Sequence, residues 1–141
     1  MIHNMLPEYK NEPFTDFSDP ANIKLMEAAL EKVKSELGQT YPLVIGGKEY
    51  SDGPYSESIS PFDSKLVVGR FPKATVEQAN QAVEVAHEAF KTWSKVEPEA
   101  RADYVFKCAA AMRRKKHELA AWMIYEVSKS WVEADVDIAE L

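Results

Sequence analysis

The chain has 141 residues, with 17 Lys and Arg against 23 Asp and Glu, a formal net charge of −6, and is 45% hydrophobic. That length supports one domain with a real core. The acidic balance excludes nucleic acid as the main partner, because neutralising phosphates needs clustered Lys and Arg. The one basic run, Arg113-Arg114-Lys115-Lys116, is short and reads as a solvated helix end. A single cysteine, Cys108, excludes an intrachain disulfide and fits a reducing compartment. The opening "MIHNMLPEYKNEPF" has no apolar h-region and is not Arg-rich, so neither a signal nor a transit peptide is expected. No apolar run is long enough for a membrane span, and the expected setting is the cytoplasm.

Residues 1–18 predict an extended arm, because Pro7 and Pro13 remove backbone donors among spaced aromatics, Tyr9, Phe14 and Phe17. Asp19 then reads as an N-cap with Pro20 at the first helical position. Ile23, Met26, Leu30, Val33 and Leu37 form one apolar stripe, closed by Gly38. "YPLVIGGKEY" predicts a hairpin turning at Gly46-Gly47, and "SESISPFDSKLVVGRFP" a second strand pair turning around Pro61–Lys65. From Lys73 the pattern is helical to the end, opening on a capping box of Thr75 and Gln78. Ala79, Val83, Ala86, Phe90 and Trp93 line the first of these helices, and "VEPEA" restarts the chain at Pro98. Beyond it Val105, Cys108, Ala109 and Met112 give way to Leu119, Trp122, Met123 and Val127, which predicts two helices meeting near residues 113–117.

Few constellations carry chemistry. His3, His87 and His117 share no ligand spacing, and one cysteine cannot complete a zinc site, so no metal is expected. Cys108 lies mid-helix on an apolar stripe beside Ala109–Ala111 and is expected to be a small core residue rather than a nucleophile. The Gly46-Gly47 pair lacks phosphate-loop spacing and no helix follows it. Glu133, Asp137 and Glu140 share a face of the last helix, accompanied by Asp135, and on spacing alone they read as a solvated acidic face. From Trp131, the apolar residues Trp131, Ala134, Ile138 and Leu141 recur at helical spacing with no Gly, Asn, Pro or basic turn after them. The expectation is a helix that belongs to something longer.

The stretches "YKNEPFTDF", "YPLVIGGKEY", "SPFDSKLVVGRFPKAT" and "AHEAFKTWSKVEPEARADYVFKCAAAMRRKKHELAAWMIYEVSKSWVEADVDIAE" resemble the N-terminal segment of the NAD-dependent aldehyde dehydrogenases. The arm and the "EVSKSWVEADVDIAE" wording are most similar to the pyrroline-5-carboxylate branch of that superfamily. The resemblance implies an α/β parent of the aldehyde dehydrogenase fold. This segment would supply an arm over residues 1–18 and the N-terminal part of the dinucleotide-binding domain over 19–141. It would contain one helix, two hairpin-like strand pairs and a run of about four helices.

The implied reaction oxidises L-glutamate γ-semialdehyde to L-glutamate in proline catabolism, by a cysteine nucleophile, hydride transfer to NAD⁺ and a glutamate base. In the family those groups and the glycine motif lie downstream, so no catalytic or cofactor-binding residue is expected here. The implied partners are the remainder of the enzyme, a small aldehyde and further copies in a homo-oligomer. Glu140 matches a glutamate lining the family branch's substrate tunnel, and Asp137 an acidic position whose neighbourhood can hold a cation. One departure is Ser128-Lys129-Ser130, where the superfamily commonly has Gly-Lys-Pro or Gly-Lys-Asn. Glycine at the position of Ser128 would allow φ > 0 at a helix end. The alternative reading is a free-standing helical interaction module without catalysis.

Overall fold

A computed structural model of the chain describes residues 10–141. The aromatic Tyr9, the residues Pro7 and His3 and the start of the arm lie outside the described residues. Residues 10–18 contain turns but no helix or strand. Helix α1 spans Pro20–Glu36, and the Asp19 side chain accepts from the Ala21 amide at its start. Gly38 follows the last turn at φ +76°, a left-handed conformation that glycine takes without a Cβ penalty.

The strands are β1 (Gln39–Thr40), β2 (Leu43–Ile45), β3 (Lys48–Tyr50), β4 (Tyr55–Ile59) and β5 (Val67–Pro72). β2 and β3 form the expected hairpin, with Gly46 and Gly47 both at positive φ as its tight turn requires. β4 and β5 pair antiparallel, joined by the Pro61–Lys65 turn, in which the Lys65 amide donates to the Asp63 carboxylate. The two-residue β1 adds to β5 in parallel, giving a three-stranded sheet of order β1-β5-β4. Sequence patterning did not predict that pairing. Arg70 ties the sheet laterally, donating to Glu57 across the ladder and to the Gly38 carbonyl.

Four helices complete the described chain: α2 (Val76–Trp93), α3 (Pro98–Arg114), α4 (Lys116–Val127) and α5 (Trp131–Glu140). The Thr75–Gln78 capping box is present at α2, and a second box, Ser130 with Glu133, opens α5. The break between α3 and α4 falls at Lys115, inside the predicted window. α4 ends on Ser128 at φ 58° and ψ 34°, the left-handed position that the superfamily commonly fills with glycine. The serine therefore takes the glycine-like conformation, at a cost of roughly 1 kcal/mol.

The core lies between α1, α4 and α5. Met26 and Val33 from α1 meet Ala120 and Ala121 from α4 and Ala134 and Ile138 from α5. Three of these six are alanines, which let the helix axes approach closely. Ser60 is buried at the end of β4 and donates to the Tyr125 carbonyl, fastening the sheet to α4. Trp131 packs edge-on against Phe17, so the arm is held at its far end as well.

The expected core position of Cys108 is not borne out. No residue of α2 or α3 is buried, although both helices carry apolar stripes. Cys108 is exposed rather than buried, as are Val83, Phe90 and Val105, because no described element lies over these faces. Leu141 is also exposed, although it continues the spacing of Trp131 and Ile138. α2 rests on the β2–β3 hairpin, where Tyr50 meets Gln81.

Two measurements test this description. Amides of α1 and α4 should exchange with deuterium about 100-fold or more slowly than those of α2 and α3, since protection follows local burial. Uniform protection across all four helices would contradict the exposed faces. Ser128→Gly should raise stability by about 0.5–1 kcal/mol in denaturant unfolding, by removing the Cβ strain at positive φ.

Candidate functional site

The acidic residues of α5 do not act as one face. Glu133 serves the helix start, accepting from the Ser130 backbone amide and hydroxyl. Those bonds hold its carboxyl below the usual range. Asp137 accepts from the Lys129 ammonium. Asp135 is buried, at 2% exposure, and belongs to a polar node that sequence spacing did not reveal.

In that node Lys116 Nζ lies 2.8 Å from Asp135 Oδ1, with the two side chains 13% and 3% exposed. The arm completes it. The Thr15 amide and hydroxyl both donate to Asp135, and the Lys116 ammonium also donates to the Pro13 carbonyl and Thr15 Oγ1. Burial pushes the Asp135 carboxyl up, but the bonds from Lys116 and Thr15 outweigh it and hold the group below 3.8. Beside the node, His117 Nε2 is buried without a hydrogen-bond partner among the described residues, and burial holds this imidazole below 6.5.

Anchoring the arm creates two clefts at the end of α5, and Glu140 lines both. One, of about 210 Å³, lies between Lys10 and Glu12 of the arm, Met112, Arg113 and Lys116, and Ile138–Leu141. The other, of about 260 Å³, is walled by Asn11, Glu12, Phe14, Ala139 and Glu140. The cations around the first cleft are mostly committed: Arg113 donates to Glu12 at 2.8 Å, and Lys116 belongs to the Asp135 node. Glu140 is exposed and, among the described residues, has no hydrogen bond or ion pair. It is a carboxylate free to accept from a ligand. As expected of inward positions, Trp131 is half-buried against the core and Ile138 is buried.

The other candidates are dispersed. Cys108 stands exposed on α3, and His87 is exposed on α2. Among the described residues, no three His, Cys, Asp or Glu side chains converge as metal ligands would. No helix of the described chain is long and apolar enough to cross a membrane.

Residues 49–141 match the profile of the Aldehyde dehydrogenase family. The chain belongs to that family. Among its relatives, the 1-pyrroline-5-carboxylate dehydrogenase of Geobacillus thermodenitrificans is 50% identical over 136 residues, covering 96% of this chain. The chain spans only 26% of that relative's length. A 1-pyrroline-5-carboxylate dehydrogenase from Thermus, solved with bound NAD, superposes with a TM-score of 0.93 at 40% identity, over 96% of this chain and 26% of that one. The Δ-pyrroline-5-carboxylate dehydrogenase of Mycobacterium tuberculosis, also solved with NAD, gives 0.81 at 26% identity, over 93% of this chain and 25% of that one.

The node has a measurable signature. Asp135→Asn leaves the Lys116 charge buried without its counter-ion and should cost about 3 kcal/mol of stability. Because the Asp135 carboxyl is depressed below 3.8 in the fold, its contribution is present above about pH 4 and is lost as pH falls through the depressed value. The variant should therefore show a flatter acid limb than the parent chain when stability is followed from pH 7 to pH 3. Equal stability and an unchanged acid limb would show that the pair is energetically neutral.

Proposed function

We propose that this chain forms the N-terminal part of an NAD-dependent dehydrogenase that oxidises L-glutamate γ-semialdehyde, derived from Δ1-pyrroline-5-carboxylate, to L-glutamate in proline catabolism. The observation that carries this reading is the 50% identity to a 1-pyrroline-5-carboxylate dehydrogenase, which runs over 96% of this chain. On this proposal residues 10–18 belong to an arm, and 19–141 to the leading portion of a dinucleotide-binding domain in an α/β enzyme.

Chemistry on the aldehyde then needs groups from further polypeptide. The described residues do not fit a dinucleotide: Gly46-Gly47 joins two antiparallel strands, so no helix N-terminus faces a pyrophosphate there. Cys108 lies exposed in the middle of α3 and is not assigned the nucleophile's role. The NAD that such an enzyme uses would accept the hydride and would be held outside this span. The unpartnered apolar faces of α2 and α3, with Phe90, Trp93, Val105 and Phe106 exposed, are suited to burial against that further polypeptide. A free-standing interaction module would also expose such faces. The similarity to dehydrogenases along nearly the whole chain favours the enzyme.

Glu140 is the residue of this chain assigned to substrate. Its carboxylate is free, exposed and set in a cleft whose cations are largely committed elsewhere. It would position the ammonium group of the substrate, or a water, by a charge-assisted hydrogen bond. It would not serve as general base.

The test is made in a dehydrogenase that contains this chain. Glu140→Gln keeps the shape and removes the charge, and Glu140→Ala removes both. Each should lower kcat/KM for glutamate semialdehyde by roughly ten- to a thousand-fold, about 1.4–4 kcal/mol of transition-state stabilisation. Affinity for NAD⁺ should stay unchanged. Parental kcat/KM in Glu140→Ala would return this residue to a solvated helix face.

A further inference from the structure

A third cavity, of about 350 Å³, lies away from Glu140, where the end of α1, strand β5 and helix α4 meet. Its walls are aromatic. Tyr41 stacks on Phe71, with centroids 5.7 Å apart and an interplanar angle of 21°. Trp122 stands nearly perpendicular to Tyr41, at 82° and 6.4 Å. Two ring systems at right angles form the corner that lines this cavity. Glu36 and Glu126 complete the lining, and no Lys or Arg contributes to it. Glu36 makes no ion pair within 4 Å among the described residues, although Lys32 one turn earlier feels its charge, and Glu126 accepts from the Ser58 hydroxyl at 3.3 Å.

The floor shows that the corner is built rather than left over. Gly69 sits inside β5 without a positive φ, so its backbone does not require glycine. A Cβ there would lie 3.1 Å from the Tyr41 ring and 3.2 Å from Phe71. Glycine lets the Tyr41 and Phe71 rings lie close on the strand, and a Cβ there would require them to give by a few tenths of an ångström.

Aromatic rings attract cations through their quadrupole, and carboxylates beside them add a counter-charge. A planar guanidinium suits both, since it stacks flat on a ring while its N–H groups reach carboxylates in its own plane. We propose that Tyr41, Phe71 and Trp122, with Glu36 and Glu126, form a receptor for an arginine side chain of a partner polypeptide. The charge of the lining selects this occupant over an apolar one, which would leave both carboxylates facing a hydrophobic surface. The proposal stands independently of the role assigned to Glu140.

The probes are N-acetyl-arginine amide and N-acetyl-leucine amide, added to the ¹⁵N-labelled full chain. The Gly69 amide and the Trp122 indole N–H are followed by NMR. The arginine probe should shift both resonances saturably with a Kd of about 1–10 mM, a range fitting one cation–aromatic contact plus a counter-charge. The leucine probe should bind at least about tenfold more weakly. Glu36→Gln combined with Glu126→Gln should weaken the arginine probe by about tenfold, and Gly69→Ala should weaken it by displacing the two rings. Leucine binding as tightly as arginine would make the cavity an ordinary apolar groove and overturn the proposal. So would an absence of saturable shifts with arginine up to about 50 mM, several times the weakest expected Kd. The comparison of the two probes on the unaltered chain needs no variant to fold, so it decides the matter even if the substitutions disturb the corner.

Discussion

The contact on which most of this arrangement depends is the buried pair of Lys116 and Asp135. Both charges are largely withdrawn from water, which costs several kcal/mol per ion unless every remaining donor and acceptor is used. Here they are used: Thr15 supplies an amide and a hydroxyl to the carboxylate, and Pro13 a carbonyl to the ammonium. The arm is therefore the piece that makes the pair affordable. In return the pair fixes where the arm lies and how α5 is rotated about its axis. With Asp135 turned towards Lys116, Ala134 and Ile138 reach the core while Glu140 comes out beside Lys10 and Glu12.

The molecule has two unequal halves in energetic terms. α1, α4 and α5 bury Met26, Val33, Ile138 and three alanines against one another. α2 and α3 bury nothing, although Phe90, Trp93, Tyr104 and Phe106 would release considerable free energy on leaving water. Trp93 and Tyr104 make a T-shaped contact with each other, which links the two helices but covers little of either. Such surface fits a chain that spans 26% of its relatives' length, because a family member with more polypeptide has something to lay on those faces.

Local chemistry was legible wherever the responsible residues are neighbours. Asp19-Pro20, Thr75 with Gln78, and Gly46-Gly47 each act within a few positions, and the corresponding helix starts and hairpin turn fall where they were expected. The second strand pair and the α3–α4 break were readable for the same reason. Cys108 was misread because periodicity identifies an apolar face but not whether anything covers it. Glu140 was singled out by family resemblance, since its spacing alone matched a solvated face. The geometry adds that it is unpaired and stands at two clefts.

By itself, the sequence determined the element types, their caps and turns, and membership in a family whose wording runs from the arm to α5. Tertiary structure alone decided the partners. Thr15 and Asp135 are 120 positions apart, and neither side chain carries a local signal that it will be buried with the other. β1 pairs with β5 across some thirty positions through a strand too short to show any period of its own. The same distance rule split the acidic residues of α5 into a cap, an ion pair, a buried node and a carboxylate without a partner among the described residues. Helical spacing places side chains on a face, but hydrogen bonds and burial form only with what the fold brings opposite.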